Sequence, residues 1–221
     1  MTVCILGNGL TALTLAKALV NYEINVDVFF NKKNYKIDNT RTIGIAKNNI
    51  DFFNKNIINI EKIIWKLKRI DIFSENLKQD QLINFKAKDD YLFSILKNQK
   101  LYKLLEKNLS KNKFFKLKLN NKKNFSILSE YDLIINCDPF NFITNKYFSK
   151  KILKKYNSNA YTTIIKHDQI LNDTAIQIFT KKGPLAFLPI SNTETSIVYS
   201  IYKANKNENI EKLIRDKNFK Y

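Results

Sequence analysis

The sequence predicts an α/β protein: a parallel sheet with helices in its first two thirds, then an antiparallel β-sheet layer. Three observations carry this reading. The first thirty residues spell an apolar strand, a glycine-containing turn, an amphipathic helix and a second strand. Residues 131–137 (YDLIINC) form a short apolar run between polar neighbours, the pattern of a strand buried on both faces. After residue 160 come four runs rich in Thr, Ile, Val, Phe and Tyr, joined by short links holding Asp, Gly, Pro and Asn, which is the pattern of an antiparallel sheet.

The N-terminal unit is the most informative stretch. Thr2 to Leu6 is the strand, and Gly7-Asn8-Gly9-Leu10-Thr11-Ala12 follows at once in the G-x-G-x-x-G/A form of a dinucleotide-binding turn. Each position has its own reason. Gly7 permits a sharp exit from the strand in a backbone geometry that a side chain opposes. Gly9 lets the backbone approach a pyrophosphate, and Ala12 keeps the helix close to the strand. The helix start then offers free N–H groups and a positive dipole end to phosphate. Leu13, Ala16, Leu19 and Val20 share one face of that helix, and Val26 to Phe30 is the second strand, so this part is Rossmann-like. The chain has four glycines, at 7, 9, 44 and 183, and two of them stand in this turn.

The rest follows in order. Asn31 to Asp38 reads as a polar loop, and Thr40 to Ala46 as an extended run carrying Arg41. Ile50 to Leu67 reads as a helix with Phe53, Ile57, Ile60, Ile64 and Leu67 on one face. Arg69 to Ser74 and Leu82 to Ala87 alternate like strands, with a turn over Glu75 to Gln81. Lys100 to Leu109 is strongly helical, and Phe114 to Leu119 and Phe125 to Leu128 are short strands. Tyr131 to Cys137 is expected as a central parallel strand ended by Asp138-Pro139, and Asn141 to Lys155 as a lysine-rich connection. The antiparallel layer takes Ala160–Lys166, Thr174–Thr180, Leu185–Pro189 and Ser196–Tyr202. The expected domains are therefore 1–145, with strands inserted at about 69–90, and 146–221.

Composition narrows the function. The net charge is +18, yet of the 38 basic residues only Arg41, Arg69 and Arg215 are arginine. Arginine, with its planar fork, is the residue that best matches phosphate and guanine, so scattered lysines do not mark a specific nucleic-acid reader. Weak attraction to an anionic membrane surface is the more natural consequence, at ~1 kcal/mol for each lysine that comes close. Cys4 and Cys137 lie in apolar runs without disulfide or zinc spacing, which suits a reduced cytosolic interior. A single histidine, His167, argues against a histidine metal cluster and is not assigned catalysis. No run reaches the ~18 apolar residues that span a bilayer. The first residues lack a basic n-region and a cleavage site, and are read as a strand rather than a signal peptide.

Several stretches resemble one family. I-L-G-N-G-L-T-A (residues 5–12), D-N-T-R-T-I-G-I (38–45), K-N-Q-K-L (97–101), and the series T-A-I-Q-I-F-T (174–180), G-P-L-A-F-L-P (183–189) and S-I-V-Y-S (196–200) are similar, in order, to motifs of the FAD-dependent hydroxylases of ubiquinone biosynthesis. These belong to the para-hydroxybenzoate hydroxylase-like flavoprotein monooxygenases. The resemblance implies an FAD-binding domain with a substrate-side sheet, NAD(P)H as reductant, and O2 and a polyprenylated phenol as substrates. It also implies a cytoplasmic protein, with peripheral association at the inner membrane surface or with a quinone-synthesis assembly. The cofactor positions it implies are Gly7, Gly9, Ala12, Arg41, Asn98, Gln99 and Asp138, and the substrate-side positions Pro184, Leu185, Phe187 and Pro189. Alternatives stay open at these positions: an exposed arginine for Arg41, helix capping for Asn98 and Gln99, a loop carboxylate for Asp138, and sheet core for 184–189. No side chain is assigned as catalytic, since a cofactor carries this chemistry. The chain departs from the family at three points. The acid expected at the end of the second strand is replaced by Phe30-Asn31, and Cys137-Asp138-Pro139 stands where the family has A-D-G. No G-D-x-x-H-x-x-x-P segment occurs, from which a C-terminally truncated, incomplete fold is expected. The rival expectations are a degenerate nucleotide-binding module accessory to quinone synthesis, and a basic protein that binds nucleic acid or a membrane surface.

Overall fold

The computed structural model describes residues 1–30, 39–75, 81–88, 90–119, 129–147, 150, 152, 154–203 and 209–220. The loop read over Asn31 to Asp38, the strand read over Phe125 to Leu128 and most of the turn read over Glu75 to Gln81 lie outside the described residues. In chain order the elements are β1 (Thr2–Leu6), α1 (Leu10–Val20), β2 (Asn25–Phe30), β3 (Thr42–Ala46) and α2 (Lys47–Asn56). Next come β4 (Ile64–Leu67), β5 (Arg69–Ser74), β6 (Gln81–Lys86), β7 (Phe93–Lys97), α3 (Asn98–Leu109) and β8 (Phe115–Leu119). The last are β9 (Leu133–Asn136), α4 (Phe142–Tyr147), β10 (Ser158–Lys166), β11 (Thr174–Thr180), β12 (Gly183–Pro189), β13 (Glu194–Tyr202) and α5 (Ile210–Lys220). Among the described residues no helix is long and apolar enough to cross a membrane.

The chain divides into two compact units interleaved in sequence: Met1–Asn39, Asn48–Ile63 and Asn98–Leu153 form one, and Thr40–Lys47, Ile64–Lys97 and Lys154–Tyr221 the other. The first unit holds a parallel sheet in the order β8-β2-β1-β9. Val3, Cys4 and Ile5 are fully buried because β1 has a strand on each side and side chains over both faces. α1 lies against β1, β2 and α3. It buries Ala12, Leu13, Ala16 and Val20, and α3 buries Leu101, Tyr102, Leu105 and Leu109, so both helices follow their apolar periodicity. On the sheet, Cys4, Leu6 and Phe29 form a cluster with Tyr131 and Ile143.

Two expectations are corrected here. The helix read over residues 50–67 ends at Asn56, and residues 64–67 are a strand paired with β7. Asparagine-rich sequence is weak helix former, and its side chains take over the backbone groups. Asn54 Oδ1 accepts from Ile60 N at 2.8 Å, and Asn21 Nδ2 donates to the Asn56 and Ile57 carbonyls. The apolar spacing that imitates a helix is shared between α2, an irregular segment that buries Ile57 and Ile60, and a strand. The second correction concerns β9. It is parallel to β1 as expected, but it lies at the edge of the described sheet, with Leu133 44% and Ile134 38% exposed. A short helix, α4, also forms within the connection read over 141–155.

The second unit combines a three-stranded antiparallel sheet, β3-β7-β4, with a six-stranded sheet in the order β10-β13-β12-β11-β5-β6. The four late strands pair antiparallel with each other, as read. The strands near 69–90 extend this same sheet, β5 parallel to β11 and β6 antiparallel to β5. One core of this unit gathers Leu67, Ile95, Ala175 and Ile190, with Trp65, Ile70, Phe93, Ile164 and Leu188 against them. The other gathers Leu185, Ile197, Tyr199 and Ile201 under Ile210, Leu213 and Ile214 of α5.

Candidate functional site

The turn between β1 and α1 has the geometry its residues require. Gly7 has φ +105°, outside the range of ordinary L-residues, and its N–H donates to the Phe29 carbonyl at 2.8 Å. A Cβ at Gly7 would stand 3.3 Å from Asp138 Cβ, Asp138 N and the Cys137 carbonyl carbon. The turn is therefore pressed against the chain that leaves β9. Gly9 is different: its backbone is extended (φ −70°, ψ 176°), and a Cβ there would meet nothing within 4 Å. Gly9 caps α1 with no side-chain hydrogen bond, and the first turn of α1 holds no acidic residue. The first intrahelical bond runs from Leu13 N to the Gly9 carbonyl at 3.0 Å, so the N–H groups before it face outward without an intrahelical partner. Open space, N–H donors and the positive end of an eleven-residue helix together suit an anionic diphosphate.

The Asp138 side of the turn is rigidly built. Asn136 Oδ1 accepts from Asp138 N at 3.1 Å and from Asn141 Nδ2 at 2.5 Å, and Asn136 Nδ2 donates to Thr144 Oγ1 at 2.7 Å. Thr144 Oγ1 donates to the Asp138 carbonyl at 3.0 Å, and Asn141 Oδ1 caps α4 by accepting from Thr144 N at 3.0 Å. Asp138 Oδ1 accepts from Phe140 N at 3.0 Å, which fixes the turn through Pro139. Asn98 opens α3, and its Oδ1 is buried without a hydrogen-bond partner. Gln99 follows it, half-buried.

The structure thus brings Gly7 and Asp138 into contact, with Gly9 and Ala12 in the same turn and helix. Arg41 stands exposed just before β3, in the second unit. Of the β12 positions, Leu185 is fully buried core and Pro184 is exposed, whereas Phe187 and Pro189 border a cavity that also takes in His167.

Two groups were not singled out from the sequence. One is the Asn136–Asn141–Thr144 network, spelled only by ordinary polar residues after a strand. The other lies on the β1–β2 sheet. Asp27, 8% exposed, accepts from Tyr131 OH at 2.5 Å and pairs with Lys118 Nζ at 2.6 Å. Burial, then the hydrogen bond to Asp27, pushes the Tyr131 phenol up to about 12. The hydrogen bond to Asp27 raises Lys118 as well. Burial, reinforced by the Asp27 charge, pushes the Cys4 thiol up to about 12. A thiol held in its neutral form is inert, and the cluster is structural. It also fixes where the only acid of β2 points, toward Lys118 and Tyr131, while the strand ends in Phe29 and Phe30.

No protein-family model matches the chain, and no curated protein matches it in sequence. Solved structures do match in fold. HpxO of Klebsiella pneumoniae, complexed with FAD and uric acid, is similar at a TM-score of 0.72 and 13% identity, over 98% of this chain and 60% of its own. PqsL of Pseudomonas aeruginosa, described as a probable FAD-dependent monooxygenase, is similar at 0.70 and 12%, over 92% of this chain and 61% of its own. CtdE in complex with FAD and a substrate is similar at 0.71 and 12%, over 97% and 62%. The chain thus spans about three fifths of the length of these proteins, and over that span it has the fold of FAD-dependent monooxygenases.

Proposed function

We propose that this protein is a flavin-dependent monooxygenase that hydroxylates an aromatic ring. The observation that carries the proposal is the turn at Gly7–Gly9: one glycine with positive φ pressed on Asp138, the other open to solvent at an uncapped helix start. The residues present fit FAD. The N–H groups at the start of α1 would hold its diphosphate, and the absence of an acidic residue in that first turn leaves the field there favourable. Asn98 Oδ1, buried and without a partner, would accept a hydroxyl of the cofactor's sugar chain. Asp138, locked by Asn136 and Thr144, would present its carboxylate at a fixed height beside the turn. When bound, FAD supplies the redox chemistry that places one oxygen atom of O2 on a substrate, with NAD(P)H as the reductant.

The finer reading is a polyprenylated phenol of ubiquinone biosynthesis, hydroxylated in the cytoplasm at the membrane face. It rests on the resemblance of residues 174–200, and the +18 charge favours an anionic surface nearby. A second reading, a nucleotide-binding module without catalysis, is favoured by one observation: β2 ends in two phenylalanines with no ribose acceptor. One experiment separates them. The purified chain is titrated with FAD, followed by flavin fluorescence, and then assayed for NAD(P)H oxidation with and without a prenylated phenol. Saturable FAD binding with phenol-stimulated oxidation supports the hydroxylase. FAD binding without stimulation supports the module, and no FAD binding defeats the hydroxylase.

A further inference from the structure

We propose that a groove of about 250 Å³ between α3 and the edge strand β8 binds a small aromatic ammonium ion. The groove lies wholly within the first unit and shares no residue with the Gly7–Gly9 turn, so the inference does not depend on the FAD reading. Its sheet side follows from strand register. β8 stands at the edge of the described parallel sheet, with Phe115 beside Val26 and Leu117 beside Val28. Side chains placed side by side on neighbouring strands share a face. Val26 and Val28 are fully buried, whereas Leu117 is 48% exposed. Leu13 of α1, itself buried, completes the apolar lining.

The helix side is one row of α3 and the residue just beyond its end. Tyr102, Glu106 and Ser110 are spaced by four and so stand one above another. Tyr102 is buried, while Glu106 and Ser110 are exposed, so the row runs from an apolar wall to a polar rim. Glu106 is the only charged residue of the lining. Among the described residues its carboxylate has no hydrogen-bond or ion-pair partner, although Lys103 and Lys107 stand on the same helix. Ser110 Oγ donates to the Lys107 carbonyl at 3.2 Å, so its own proton is spent and its lone pairs are left to accept. Both polar side chains of the rim therefore accept.

These features select the ligand. An ammonium group carries three donors and no acceptor, which complements such a rim. The negative end of the twelve-residue α3, whose last turn holds Glu106, favours a cation as well. The net charge of +18 opposes one, but at physiological salt charges beyond ~8 Å are screened, so the lining decides. Tyr102 and Phe115, set among leucines, suit an aromatic ring. The volume is below the ~300–1,000 Å³ of drug-sized sites and takes one ring rather than two.

The full chain is titrated with phenethylammonium at physiological salt, and the leucine methyl groups are followed in a carbon–proton correlation spectrum. Phenethyl alcohol serves as the uncharged comparison and hydrocinnamate as the anionic one. Saturable shifts of the Leu13 and Leu117 signals are expected. The ammonium should bind about fivefold more tightly than the alcohol, and hydrocinnamate more weakly than either. E106Q, which leaves the apolar lining untouched, should remove the preference for the ammonium over the alcohol. L117W, which adds bulk at the half-exposed rim, should abolish the shift at Leu13. A wild-type chain with no saturable shift at Leu13 and Leu117, or an L117W chain whose Leu13 shifts as in wild type, overturns the site. Equal binding of ammonium and alcohol by the wild type, or an unchanged preference in E106Q, overturns the ammonium assignment.

Discussion

Substituting each of the two turn glycines by alanine separates a structural requirement from a ligand requirement. At Gly7 the new Cβ is forced into φ +105° and stands 3.3 Å from three atoms of Cys137 and Asp138. A strained backbone of this kind costs on the order of 1–3 kcal/mol, of which the lower entropy of the unfolded alanine chain returns only ~0.4–1 kcal/mol. G7A should therefore lose about 1–2 kcal/mol of stability. At Gly9 the backbone is extended and a Cβ meets nothing, so the same entropy term is not opposed by strain. A gain of ~0.4–1 kcal/mol offsets the ~0.5–1 kcal/mol by which alanine is the poorer N-cap. G9A should keep wild-type stability to within about 0.5 kcal/mol. Yet its methyl group occupies the space where a diphosphate would lie, and FAD affinity should fall at least tenfold, about 1.4 kcal/mol. Urea unfolding followed by far-UV circular dichroism measures the first effect and FAD titration the second. If G9A binds FAD as well as the unsubstituted chain, the diphosphate does not lie on this turn. If G7A is as stable as wild type, the strain argument fails.

Three further outcomes follow from the same unit. N98A removes a buried oxygen that has no partner, so its urea midpoint should be unchanged or higher, while FAD binding weakens about tenfold. A loss of stability without a change in FAD affinity would refute the cofactor role of Asn98. N136L leaves the Asp138 N–H and the Asn141 side-chain amide without their acceptor, at ~1–3 kcal/mol for each group that stays buried, so the urea midpoint should fall clearly and FAD should bind more weakly. A midpoint equal to wild type would mean that the network does not hold the Asp138 turn. Finally, Cys4 and Tyr131 are both raised to about 12 in the folded chain, from ordinary values near 9 and 10, and Lys118 is raised as well. The folded state then keeps protons that the unfolded state releases. Stability is complete below pH 9 and falls as pH rises through 9 to 12. Urea midpoints measured at pH 8, 9.5 and 11 check this, and a flat profile would refute it.

What the sequence revealed depended on how local the determinant was. The β1–turn–α1 unit was legible because its reasons lie in adjacent residues: an apolar strand, a glycine that must turn, and a periodic helix. The late strands were legible for the same reason, with a turn residue in every link. The stretch from 50 to 67 was not. Its isoleucines recur at helical spacing, but their burial is imposed by partners far away, with Ile64 and Leu67 in a strand fixed by pairing to β7. The edge position of β9 was invisible too, because an apolar run reports burial and not the number of neighbouring strands. The union of β5 with β11 joins residues about a hundred apart, a parallel pairing that no local pattern announces. Within the candidate site, Gly7 and Gly9 could be named in advance, whereas Asn136 and Thr144 could not. Their importance lies in hydrogen bonds to one another.

The end of β2 is where the proposal meets its strongest opposition. A ribose needs an acceptor there, and the strand closes with Phe29 and Phe30. Asp27 cannot take the part. It lies three residues earlier, and its Oδ2 already receives Tyr131 OH and Lys118 Nζ. Turning it away would break hydrogen bonds to the half-exposed Lys118 ammonium and the half-buried Tyr131 phenol, which together cost more than one sugar hydroxyl returns. If FAD binds as proposed, it binds without that contact, and its affinity is correspondingly lower. Phe30 is only partly buried and ends the pairing with β8, so F30E places a carboxylate at the strand end at a modest loss of apolar packing. A charge-assisted hydrogen bond contributes ~1.5–3 kcal/mol, so F30E should bind FAD roughly ten- to a hundredfold more tightly, less what the lost packing takes back. Isothermal titration of FAD into wild type and F30E measures the difference. An affinity that stays the same would show that no ribose approaches this strand end, and the nucleotide would then lie elsewhere on the turn. A gain in FAD affinity with no gain for free flavin would place the new contact on the adenosine half, where the β1–α1–β2 geometry requires it.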